Sequence, residues 1–167
     1  MEENSVFLEK EGNIGWIILN QPNKRNAISK TMWEILPKLL EKAEKDNNIK
    51  VVVLRGAGEK IFAAGADISE FQEIHSKKDT SIKYNKIILE TEKILTNFSK
   101  PTIAMIYGAC VGGGCGLALA CDLRFGDTNS KFSIPPANLG LVYSLHGTKL
   151  LMDKVGPSMA KDMLYSG

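Results

Sequence analysis

The 167-residue chain carries 21 basic against 19 acidic residues, a net charge of +2, with 44% apolar and 24% charged side chains. That composition excludes disordered and fibrous classes, and Lys and Arg scattered without a basic run interleaved with aromatics predict no nucleic-acid partner. The length fits one domain, residues 1–167, with its own hydrophobic core. The N-terminus MEENSVFLEKEG lacks the basic-then-apolar pattern of a signal peptide, which predicts a cytoplasmic protein.

Ser5 to Asn20 alternates apolar and polar residues around Glu11 to Asn13, predicting a hairpin whose second arm is GWIILN. QPNKRNAIS reads as a loop. From Ser29 onward Met32, Ile35, Leu36, Leu39, Leu40 and Ala43 recur at steps of three and four, the period of an amphipathic helix reaching about Lys45, where DNN ends it. VVVLRGAG (Val51 to Gly58) is a short apolar run closed by glycines, as for a strand buried on both faces of a mostly parallel sheet. The loop EKIFAAGADISEF follows, and a second helix within Thr80 to Ser99 sets Tyr84, Ile87, Ile88, Thr91, Leu95 and Phe98 on one stripe.

Pro101 to Cys121 contains no charged side chain and is long enough to cross a bilayer. Its five glycines, each costing about 1 kcal/mol relative to Ala in a helix, and its leading proline argue against a spanning helix. A strand PTIAMIYG, a glycine turn and a buried helix GLALAC explain the same residues, so no membrane partner is expected. Cys110, Cys115 and Cys121 fit neither a zinc site nor a disulfide framework and read as small core residues in a reducing compartment. No pair of His or acidic residues has ligand spacing, so no metal is expected. Strands alternating with helices predict an α/β layered domain with right-handed crossovers.

In open α/β sheets ligands sit beyond the carboxyl ends of the strands, which makes AAGAD and YGACVGGG the first site candidates. Neither is a nucleotide-phosphate motif: no G-x-G-x-x-G follows a strand, and GAGEK lacks the Walker A ending. Glycine triplets expose backbone N–H groups, which at a helix start carry the positive end of the dipole and suit a developing oxyanion. AAGADISEF, then GACVGGGCGLALACDLRF, then KFSIPPANLGLVYSLHGT together resemble the enoyl-CoA hydratase/isomerase family, the crotonase superfamily. The likeness runs from QPNKRNAI, similar to the family's N-R-P-x-x-x-N-A entry motif, to the final YSG.

The resemblance implies a layered crotonase-like fold of ββα units, an acyl-CoA substrate, no cofactor beyond the CoA that substrate carries, and a homo-oligomer, trimer or hexamer. It places two oxyanion-hole amides on Ala66 and Gly113, with Gly112 beside the second. The adenine is implied to rest on the backbone of Ala64 to Ile68, including Asp67, and the CoA phosphates near Lys24, Arg25 and Lys60. Family chains continue past this point with a helical region, so the chain reads as truncated at its C-terminus.

Hydratases of the family work with two glutamates, one directly after GGGC and one after a proline beyond the core helix. Here those positions are Gly116 and Pro136, and Cys110 to Leu145 holds only Asp122 and Asp127 as acids, too far along to replace them. FSIPPANLGLVYS is more similar to the methylmalonyl-CoA decarboxylase branch, which uses a tyrosine at the position of Tyr143, although that branch has a histidine where this chain has Ala66. Decarboxylase-like chemistry is therefore expected over hydration, with the Tyr143 phenol orienting the departing carboxylate or protonating the enolate. His146 and His75 are weaker candidates, and Ser144 has no base and acid arranged with it. The rival expectation is a CoA-thioester binding protein without turnover.

Overall fold

The structure, a computed structural model, describes residues 4–167. The alternating N-terminal segment forms the expected hairpin, β1 (Val6–Glu11) and β2 (Ile14–Leu19), antiparallel, turning at Gly12 with φ +56°. Ser29 caps α1 (Lys30–Lys45) by accepting a hydrogen bond from the Met32 N–H, and the apolar stripe of this helix buries Met32, Trp33, Leu36, Leu40 and Ala43. Pro37 sits inside α1 without ending it. β3 (Val51–Gly56) pairs parallel with β2 and with β5 (Thr102–Ile106), and β5 pairs parallel with β7 (Leu123–Gly126). The result is a five-stranded sheet of order β1-β2-β3-β5-β7.

A second sheet was not visible in the sequence pattern. β4 (Ile61–Ala63), β6 (Ala109–Val111) and β8 (Lys131–Ser133) pair parallel in the order β4-β6-β8. Each has three residues, too few for a period-two pattern to show. Short helix α2 (Phe71–His75) leads into α3 (Lys78–Thr96), which buries Tyr84, Thr91 and Leu95 of the predicted stripe; Phe98 lies past its end. The glycine triplet is not a turn before the core helix, because α4 (Gly113–Ala120) already begins at Gly113. The last element, α5 (Leu145–Ser166), breaks its axis at Gly156 (φ 78°, ψ 164°) beside Pro157.

Among the described residues no helix is long and apolar enough to cross a membrane. The uncharged stretch from Pro101 instead becomes β5, β6 and α4, with Cys110, Cys115 and Cys121 buried as free thiols. The core joins both sheets to α1 and α4 through Trp33, Leu36, Leu40, Phe62, Ile106 and Leu117.

Candidate active site

β4 and β6 are adjacent parallel strands, with Ala63 opposite Cys110, so the loops leaving their carboxyl ends emerge side by side. They touch: a Cβ built on Gly65 would lie 3.3 Å from the Val111 carbonyl oxygen, and one on Gly112 would lie 3.6 Å from the Gly65 Cα. Gly65 (φ +99°) and Gly112 (φ +52°) both adopt backbone conformations that L side chains resist. Two glycines at this crossing let Ala66 and Gly113 approach each other.

Most neighbouring amides are committed. The Ala64 N–H donates to the Arg25 carbonyl (3.1 Å), the Asp67 N–H to the Ile28 carbonyl (3.0 Å) and the Gly112 N–H to the Ser133 carbonyl (2.8 Å). The N–H groups of Ala66 and Gly113 donate to no acceptor among the described residues. Gly113 is also the first residue of α4, where an N–H has no intrahelical partner. Two unspent amides side by side, one of them at a helix start, can hold a carbonyl oxygen as it gains charge.

Other expected residues fall into two groups. Lys24 Nζ pairs with Asp67 Oδ2 at 2.7 Å, Asp67 also accepts from the Ser69 N–H and hydroxyl, and the Lys24 bond together with the Ser69 bonds holds its carboxyl below the usual range although burial pushes the other way. They line a cavity of about 340 Å³ with Gln21, Asn23, Ser29 and Glu70. Arg25 and Lys60 are exposed, and Ile68 is 72% exposed. A cavity of about 490 Å³ lies between α1 and α3, lined in part by Tyr84, Ile87, Lys30 and Lys83. Neither cavity is lined by Ala66, Gly113 or Tyr143.

Tyr143 lies beside α4, its hydroxyl 3.6 Å from where a Cβ on Gly116 would be. Its hydroxyl is buried without a hydrogen-bond partner, and burial pushes its pKa up. His146 joins it, with a buried, unpartnered Nε2 and a pKa lowered by burial. His75 does not join: exposed on α2, it stacks edge-on against Phe71 and bonds Ser81. Ser144 is the N-cap of α5, accepting from the Gly147 N–H, and Asp122 is occupied by Thr102.

The residue that sequence reasoning missed is Glu92. It is an acid on α3, reaching the backbone of α4 from outside the glycine loops: Glu92 is 4% exposed, and no described residue donates a hydrogen bond to its carboxylate. A Cβ built on Gly116 would lie 2.5 Å from Glu92 Oε1 and 3.6 Å from Tyr143 Oη, and His146 Nε2 is 3.9 Å from Glu92 Oε2. Burial alone raises the Glu92 pKa to about 7. A signal was present, because Glu92 stands four residues after Ile88 and three before Leu95 on the buried stripe, an acid at a core position.

A carboxyl whose pKa rises from 4.5 to about 7 on folding stabilises the fold fully below pH 4.5, and that contribution is lost as pH rises through 7. The expected loss between pH 4 and pH 8 is roughly 3 kcal/mol. Urea unfolding across that range should show this fall in the native chain, while Glu92→Gln, which cannot ionise, should abolish it.

The two amides at the carboxyl ends of adjacent parallel strands, with a buried acid and phenol beside α4, make this the candidate active site of an α/β layered fold. The chain belongs to the enoyl-CoA hydratase/isomerase family, whose model matches residues 9–167. It is 36% identical to a short-chain-enoyl-CoA hydratase of Clostridium acetobutylicum over 99% of this chain and 63% of that relative. It is 34% identical to a 2,3-dehydroadipyl-CoA hydratase of Escherichia coli over 98% of this chain and 62% of that relative. A crystal structure of an enoyl-CoA hydratase/isomerase family protein from Hyphomonas neptunium superposes with a TM-score of 0.94 at 40% identity, over 97% of this chain and 62% of that one. The chain thus spans under two thirds of the length of these relatives.

Proposed function

We propose that this chain binds an acyl-CoA thioester and stabilises its enolate, the N–H groups of Ala66 and Gly113 forming the oxyanion hole. The observation that carries the reading is the pair of uncommitted amides held together where two glycine backbones touch. The thioester carbonyl accepts both hydrogen bonds, and as the enolate forms its oxygen gains the charge that a preorganised pair holds best. The cavity beside Lys24 and Asp67 suits the polar end of CoA, which is the only cofactor-like group the reading requires. Exposed Leu123, Phe125, Val142 and Leu145 support a homo-oligomer, trimer or hexamer, as does the family.

Two reactions share this enolate. The relatives named hydratases support water addition. Decarboxylase-like chemistry is supported by the buried, unpartnered Tyr143 hydroxyl, placed to protonate an enolate after CO₂ departs. Calorimetric titration with butyryl-CoA and with free CoA, alongside assays of crotonyl-CoA hydration and CO₂ release from methylmalonyl-CoA, tests the reading. Butyryl-CoA should bind at least tenfold more tightly than CoA, since only the thioester engages the amides. Equal affinity would overturn the oxyanion-hole assignment, and binding without either turnover would leave a thioester-binding protein.

A further inference from the structure

A side chain on an α-helix leans toward the helix N-terminus, so a side chain at position 116 would cover the turn that starts at Gly113. Gly116 has none, and Glu92 Oε1 stands in its place, 2.5 Å from where the Cβ would be. The geometry points to Glu92, reaching across from α3, as the group that moves the proton at the carbon next to the thioester carbonyl. The inference rests on the acyl-CoA reading above and deepens it. A carboxylate lost from one helix is replaced in space by a carboxylate from another.

The packing around Glu92 gives it no structural task. Buried polar groups are normally hydrogen-bonded, and a buried carboxylate without partners costs stability. Here the Glu92 carboxylate and the Tyr143 hydroxyl meet at the bare backbone of Gly116, with His146 Nε2 3.9 Å from Glu92 Oε2, and both the hydroxyl and this Nε2 are buried without a hydrogen-bond partner. A Cβ at 116 would displace Glu92 Oε1 from the position it holds here. Tyr143 faces Glu92 from the segment before α5 and His146 faces it from α5, while the Cys115 thiol of α4 acts on Tyr143, and Lys93 and Lys149 act on His146. With burial holding its pKa at about 7, Glu92 is available as base and as acid near neutral pH.

The step balances without a co-reactant. Glu92 takes a proton from the α-carbon, the C–H electron pair becomes the carbon–carbon π bond, and the carbonyl π pair moves onto the oxygen held by the two amides. Return of the proton to the α-carbon restores the thioester. Tyr143 is a positioning residue in this step, since its hydroxyl faces the same Gly116 position as the carboxylate.

Exchange of the α-protons of butyryl-CoA in D₂O, followed by NMR, reads this step and nothing later. The native chain should exchange them with a rate that rises through an inflection near pH 7, and Glu92→Gln should lower the rate by roughly 10² to 10⁴-fold while the affinity for butyryl-CoA stays within about threefold. Glu92→Asp, which keeps a carboxylate but draws it back, should recover part of the rate. The inflection should persist in His146→Gln, which removes the imidazole beside the carboxylate. Should Glu92→Gln fail to fold, the native and His146→Gln pH profiles decide. Exchange within threefold of native in Glu92→Gln, an inflection that vanishes with His146, or butyryl-CoA binding without exchange in the native chain would each overturn the role of Glu92. Failure to bind butyryl-CoA at all would instead overturn the acyl-CoA reading on which it rests.

Discussion

Gly113→Pro should lower α-proton exchange of bound butyryl-CoA by 10² to 10³-fold relative to Gly113→Ala. Proline removes one N–H, and loss of a single oxyanion donor typically costs about 3 to 4 kcal/mol of transition-state stabilisation. Position 113 is the place in α4 where that deletion does least other harm. As the first helical residue, its N–H makes no helix bond, and the fixed φ of proline suits the start of a helix. Crowding is the complication, because any Cβ at 113 would lie 3.0 Å from Trp33 Cζ2, and Trp33 is fully buried. Alanine meets the same wall and keeps the amide, so the ratio of the two variants isolates the hydrogen bond. Equal rates would show that the Gly113 amide does not hold the oxyanion.

The second large effect is on stability. Gly108→Ala should destabilise the chain by roughly 3 kcal/mol or more, lowering the thermal midpoint by about 6–12 °C for a domain of this size. Gly108 lies between β5 and β6 with φ +57°, and a Cβ there would overlap the Lys60 carbonyl oxygen. Its N–H accepts no compromise either, being donated to Asp127 Oδ1, while its carbonyl receives the Lys131 N–H. Relief of the overlap must move backbone, and the backbone in question links the two sheets just ahead of the Gly112 and Gly113 amides. Gly58→Ala is the comparison: φ is +75° but no atom lies within 4 Å of the added Cβ, so only the conformational strain of about 1–2 kcal/mol should appear. Calorimetric melting of both variants separates overlap from strain; similar midpoints would refute the packing argument.

Much of this protein was legible as sequence because the relevant forces act locally. The alternation from Val6 to Leu19, the three-and-four spacing from Met32 to Ala43 and the run at Val51 each specify how one element buries its own apolar face. The glycines of AAGAD and VGGGC likewise report a backbone requirement that few other residues meet, and so marked both loops as site candidates. The three-residue strands β4, β6 and β8 left no such trace, since they exist only through pairing with one another.

Glu92 shows the larger divide. Sequence order separates it from Gly116 by two strands and half a helix, and a search for acids along the glycine segment finds none that reach. The packing of α3 and α5 against α4 decides that its carboxylate fills the space a missing side chain leaves. Backbone chemistry is written in the residue that carries it, whereas a side chain's chemistry depends on which distant surfaces meet around it. The sequence alone therefore determined the fold class and pointed to the two glycine loops, and only the tertiary structure brought Glu92 beside Gly116.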